Sequence, residues 1–221
     1  MSSKSMFTNR SAARIMASVF GFLSGIGGVT HGIGEVFQGN VPPSGIVVNS
    51  WTQGPIATNM GGEPAMTVVP NLLVAGILTI MISLVVMAWS VVFVQKKHGG
   101  LILIFLSIAL LLVGGGFGPP IIGFLAGVAG LGINSQTRWS ARLHIKVQHF
   151  FSKLWIWIFG LCLINGVFLV IGSIILVYFF GLNNPDLFVN SFFFTILSLL
   201  LSILTGSAYD YQKRSSAGVK S

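Results

Sequence analysis

The run Thr30-His31-Gly32-Ile33-Gly34-Glu35 sets an imidazole and a carboxylate four residues apart inside an otherwise apolar stretch. On a helix that spacing makes them neighbours on one face, and Ser24 and Gln38 fall on the same flank. An ionisable group within a membrane span is costly and marks a functional site unless shown otherwise. The chemistry open to such a pair is proton or cation handling, or a polar handle for a substrate, with His31, Glu35, Ser24 and Gln38 as candidate substrate- or ion-binding residues. The competing expectation is structural: Glu35 lies near the end of its span and reaches headgroup water, and His31 bonds to it or to a neighbouring helix.

Other chemistries fail on residue count. Two ligands at i and i+4 are too few for zinc, and His98, His144 and His149 fall on the opposite side of the expected topology, so no metal is predicted. Cys162 is the only cysteine, which excludes an intrachain disulfide and thioether attachment of haem; no cofactor is predicted. The chain has no G-x-S-x-G, no H-E-x-x-H and no P-loop, and no catalytic residue is assigned. A lipid-modifying enzyme using His31 and Glu35 as acid and base would rest on those two residues alone.

The elements that must position the pair follow from composition. Of 221 residues 53% are hydrophobic and 7% charged, with mean hydropathy +0.88. Soluble domains carry about 25% charged residues, so lipid rather than water must cover most of this surface. The expected fold is an all-α integral membrane protein, a single polytopic domain with six spans at about 15–37, 71–94, 101–117, 119–133, 154–180 and 187–209. The third and fourth are short because Gly114-Gly115-Gly116-Phe117-Gly118-Pro119-Pro120 cannot continue a helix, whereas proline is welcome in the first turn of a new one. They would be about 25 and 22 Å long, with a re-entrant pair as the alternative to two crossings. The first span exceeds the apolar length of a signal peptide and is read as a retained anchor.

Orientation comes from the 12 Lys and Arg, set against 4 Asp and Glu. With the amino terminus in the cytoplasm, six spans put every basic residue on the cytoplasmic side, in agreement with the positive-inside rule. The expected localisation is multi-pass with both termini cytoplasmic. The net charge of +8 is thereby absorbed by topology, and no nucleic-acid partner is expected. Trp89, Trp139, Trp155, Trp157, Tyr209 and Tyr211 would form an aromatic belt at the inner boundary. Residues 136–153 read as an amphipathic helix on the cytoplasmic surface, with Arg138, Arg142, Lys146 and Lys153 on anionic lipid headgroups and Trp139, Leu143, Val147 and Phe150 on the apolar side. A dock for a cytoplasmic partner is its alternative role.

Helices in lipid associate through small residues and polar contacts. Gly21, Gly25, Gly28 and Gly32 share one face of the first span. Gly76, Thr79, Ser83 and Ser90 do so on the second, Gly123, Gly127, Gly130 and Asn134 on the fourth. Ser191, Thr195, Ser198, Ser202 and Thr205 form a hydroxyl ladder on the sixth. These are expected packing seams, the ladder having a polar solute path as its other reading. The connection 38–70, rich in Gly, Pro and Asn, is long enough to be a lid or partner-binding surface. The expected function is binding or transport of a small solute or ion, alone or as the membrane subunit of a transport complex. The alternative is a non-catalytic assembly subunit whose seams meet membrane-protein partners.

Overall fold

A computed structural model describes residues 11–133 and 144–218. The chain is almost wholly helical, and four of its helices are long and apolar enough to span a membrane. In chain order the elements are α1 (Ala12–Gln38), β1 (Val47–Asn49), α2 (Gly54–Met60), β2 (Pro64–Met66), α3 (Leu72–Phe93), α4 (Gly99–Val113), α5 (Gly118–Leu131), α6 (Ile145–Phe180) and α7 (Pro185–Gly218). Helices α3 and α6 each contain one wide π turn, at Trp89–Phe93 and Phe168–Gly172.

The helices are inverted relative to a soluble bundle. On α3 the buried positions are Ala75, Gly76, Thr79, Ser83 and Ser90, with Leu72 and Val86, while Val74, Ile77, Met81, Leu84 and Val85 are exposed. On α7 the whole ladder from Ser191 to Thr205 is buried, and Phe193, Phe194, Leu197, Leu201 and Leu204 face outward. Small and hydroxylated side chains let backbones approach, and bulky apolar ones suit lipid.

Helix α1 is the hub, packed against α3, α5, α6 and α7. Its glycine face lies on α3 in antiparallel order, Gly21 at Ser90, Gly28 at Ser83 and Gly32 at Gly76. The last of these is a backbone-to-backbone contact: a Cβ on Gly32 would lie 2.8 Å from the Gly76 carbonyl oxygen. Helix α5 returns antiparallel along α4, with Gly127 at Ile104 and Gly123 between Ser107 and Ser24. A larger core joins Met16, Phe20, Leu23, Leu103, Ile122, Trp155, Cys162 and Leu199.

The break between α4 and α5 falls where the glycine-proline run predicts it. Helix α4 ends at Val113, Gly114 follows with φ +125°, and α5 opens with Pro119 and Pro120 in its first turn. The last α4 carbonyl, Val113 O, accepts from both Thr67 Oγ1 (3.2 Å) and Thr79 Oγ1 (3.0 Å), which satisfies a group that a broken helix otherwise leaves bare.

Two expectations change. Residues 145–153 are the opening turns of α6, continuous through Val167, because nothing there breaks a helix before Phe168. Lys146, Lys153, Val147 and Phe150 are exposed on it, and Arg138, Arg142, Trp139, Leu143 and Asn134 lie outside the described residues. Trp155 is only 4% exposed and stacks on Tyr209 at 4.7 Å between ring centroids, so α6 and α7 are joined by this aromatic pair. The connection 38–70 is an ordered cap. Strands β1 and β2 pair antiparallel with Val48 opposite Ala65, and α2 fills the excursion between them.

Candidate functional site

His31 and Glu35 point from α1 into the protein, and both are buried. Glu35 is fully buried, which removes the expectation that it reaches headgroup water. The reason is the α4–α5 break, whose Gly114 presses its Cα on the Glu35 carboxyl, while Gly116, at φ +74°, presses on the His31 ring. No side chain fits at either glycine. Among the described residues neither Glu35 oxygen has a hydrogen-bond partner.

The cap supplies His31 with its partners. Imidazole Nδ1 lies 2.8 Å from Ser50 Oγ, and Nε2 lies 3.6 Å from Glu63 Oε2. Thus His31 pairs with Glu63, 32 positions later in the chain, rather than with Glu35 one turn away. A neutral ring that accepts from the Ser50 hydroxyl carries its hydrogen on Nε2, facing Glu63. Ser50 follows β1, and Glu63 precedes β2. The ladder that joins them continues past the strands, with Ser50 N–H donating to Glu63 O (3.1 Å) and Trp51 N–H to Gly62 O (2.9 Å). Gly61, Gly62 and Glu63 all have positive φ, at 72°, 84° and 53°. For glutamate this left-handed conformation is uncommon. It turns the Glu63 side chain down onto His31.

The other two sequence candidates take different places. Gln38 Nε2 donates to Asn49 O (2.9 Å) and Ser50 O (2.8 Å), so it holds the cap strand that carries Ser50. Ser24 Oγ donates to Pro119 O at 2.6 Å and belongs to the α1–α5 contact. Among the described residues the hydroxyl ladder of α7 is buried against neighbouring helices. Asn165 Nδ2 of α6 donates to Ser191 O and Thr195 Oγ1, both at 2.7 Å, and Ser202 meets Met16 Sδ at 3.1 Å. It is a seam.

Beside His31 and Glu63 is a cavity of about 270 Å³ bounded by α1, the cap, the α4–α5 break, α6 and α7. Its polar wall is His31, Glu63 and Thr30, and the Thr30 hydroxyl is already spent on Gly27 O at 2.6 Å. The rest is apolar, including Phe117, Pro119, Ile122, Leu169, Phe188 and Phe192. Ile122 and Val170 in its wall also belong to the core, so the cavity ends on packed side chains.

Serine, histidine and glutamate in one chain of contacts raise the question of acyl transfer. Ser50 has no exposed surface and is absent from the cavity wall, and a nucleophile must reach its electrophile. Ser50 is placed to orient the imidazole. Among the described residues no group of three His, Cys, Asp or Glu is arranged to hold a metal ion.

At the far end of α1, Asp210 of α7 is 7% exposed and accepts from Ala12 N–H (2.7 Å) and Ala13 N–H (3.1 Å). Sequence reasoning gave Asp210 no role, since no local pattern links residues 198 positions apart. Ser50 was likewise overlooked, although Gly61-Gly62-Glu63-Pro64 signals a tight turn that returns the chain towards it. Set against models of known protein families, curated proteins and solved structures, the chain matches none, and the reading of this site rests on its own geometry.

Proposed function

We propose that this is a six-span membrane protein with both termini cytoplasmic, which binds a small, largely apolar solute carrying one polar group in the outer half of the bilayer. The observation that carries the reading is the cavity itself: an open, mostly apolar cleft of about 270 Å³ with polar functionality concentrated at His31 and Glu63. Ligand sites have this character, mostly apolar with a few placed polar groups.

The six-span reading is supported by the reach of the broken pair. The Gly100 end of α4 lies at Gly130, which neighbours Ala17 on α1, and the other end lies at Glu35. The pair therefore extends alongside α1 over the stretch from Ala17 to Glu35, about 27 Å at 1.5 Å per residue. The side bearing the cap is assigned outward because 38–70 and 181–186 hold no Lys or Arg. A fixed pocket ending on core side chains favours binding over conduction, and a transport cycle would have to open that floor.

The test is thermal stabilisation of the purified protein by a panel of small amphiphiles, in wild type and in Val189→Trp, which plugs the rim from an exposed position. Members of the panel raise the wild-type melting temperature and leave Val189→Trp unmoved, while His31→Ala weakens the response. A panel that shifts nothing in the wild type removes the binding reading.

A further inference from the structure

The apolar wall sets the body of the ligand, and the charge of the polar wall sets its head. Resting on the binding reading above, we infer that the cavity takes a lipophilic cation, an amine or quaternary ammonium on a small aromatic or branched body.

The first observation is a carboxylate whose neighbour in the wall is an imidazole rather than a fixed positive charge. Among the described residues Glu63 is the only acidic one in the cavity wall, and no Lys or Arg lines it. Its Oε2 makes no hydrogen bond among the described residues and sits 3.6 Å from His31 Nε2 as an ion-pair contact, while 18% of the side chain remains exposed at the cavity. A partly buried carboxylate facing only a neutral imidazole gains from a counter-charge brought by the ligand. An anionic head would add repulsion instead.

The second is the backbone at Glu63. With φ at +53° directly after two left-handed glycines, the position suits glycine better than glutamate. A side chain kept there against its backbone preference points to a use for that side chain. The sheet ladder through Ser50 and Trp51 holds it.

The third is the aromatic content. Phe117, Phe188 and Phe192 share the lining with Glu63, and ring faces attract cations through their quadrupole. A neutral hydrogen-bond donor would satisfy Glu63 but gain nothing from the rings. The size agrees: the cavity of about 270 Å³ approaches twice the ~150 Å³ that holds benzene. It has room for one ring and a head the size of trimethylammonium.

The probe set is therefore benzyltrimethylammonium, its neutral isostere 2,2-dimethylpropylbenzene, and the anion 4-phenylbutyrate. Each is equilibrated by dialysis with the full-length protein in nanodiscs, with empty nanodiscs subtracted. The cation binds about tenfold more tightly than the isostere, and the anion binds least. Glu63→Gln brings the cation down to the level of the isostere, whose own binding persists and reports an intact pocket. Phe192→Leu lowers the cation alone, severalfold, and leaves the charge preference otherwise in place. Equal binding of cation and isostere in the wild type, or a preference that survives Glu63→Gln, overturns the cationic assignment while leaving the pocket reading standing. Binding of none of the three above empty nanodiscs overturns both.

Discussion

Gly114→Ala tests the contact on which the site is built. An ideal Cβ at this position would overlap both Glu35 carboxylate oxygens and lie 2.6 Å from Cδ. Glu35 has no exposed surface into which to retreat. The backbone adds a second penalty, because φ +125° is a conformation that residues with a Cβ rarely adopt. Strain of that kind costs about 1–3 kcal/mol, and overpacking a closed site costs about 1–3 kcal/mol more, for a total of about 2–6 kcal/mol. Unfolding by SDS titration in mixed micelles, followed by far-UV circular dichroism, measures it. The two penalties separate in a cycle with Glu35→Ala. Removing the carboxyl deletes the overlapped atoms, so the double variant recovers about 1–3 kcal/mol and retains the backbone part. Gly160→Ala is the control: a Cβ there meets nothing within 4 Å, and a helix-interior alanine stabilises by about 0.5–1 kcal/mol. A Gly114→Ala cost below about 0.5 kcal/mol, or a cycle additive within about 0.5 kcal/mol, refutes the packing of the break on Glu35.

Three further outcomes follow from individual contacts. Glu63→Gly removes both the left-handed strain and a buried unpaired oxygen; it stabilises the chain by about 1–2 kcal/mol in the same titration and abolishes the preference for benzyltrimethylammonium over its isostere. Thr195→Val takes one partner from Asn165 Nδ2 and costs about 0.6 kcal/mol, in line with interhelical hydrogen bonds in lipid; ligand binding is unchanged, because the ladder lies away from the cavity. Ser50 stays unlabelled by a fluorophosphonate probe in the folded protein, and mass-spectrometric detection of an adduct there would return Ser50 to the role of nucleophile.

The helices were legible in the sequence because their signals are local. Charge-free stretches, the Gly-Pro break and the small-residue stripes each need only neighbours in the chain to be recognised, and each recurs in the structure as a span-length helix, an interruption after Val113 or a buried seam. The prominence of His31 was legible for the same reason, since an imidazole in an apolar run is conspicuous. Its partner was not. The i, i+4 spacing to Glu35 is only a proximity rule, and Glu63 won because a turn of three left-handed residues aims it at the ring. Nor does the period of α1 disclose that Gly114 and Gly116 seal the two side chains from behind. Glycines at a helix break announce the break and say nothing of what will lie against them. Phe188 and Phe192 of α7 line the same cavity as Phe117 of the α4–α5 break, a meeting of distant segments that no local pattern announces.

The clasp between Asp210 and the first two amides of α1 also orders events during synthesis. Those amides are made early, and their acceptor is made 198 residues later. At roughly 5–20 residues per second of elongation, the leading end of α1 waits about 10–40 s for it. Until α7 arrives, that end must be served by water, lipid headgroups or the insertion machinery, with Ser11 accepting from Arg14 N–H as its local cap. Although α1 precedes every other described helix, it is in this sense completed only with α7, and a chain stalled before Asp210 would present an open seam to the cell's quality control.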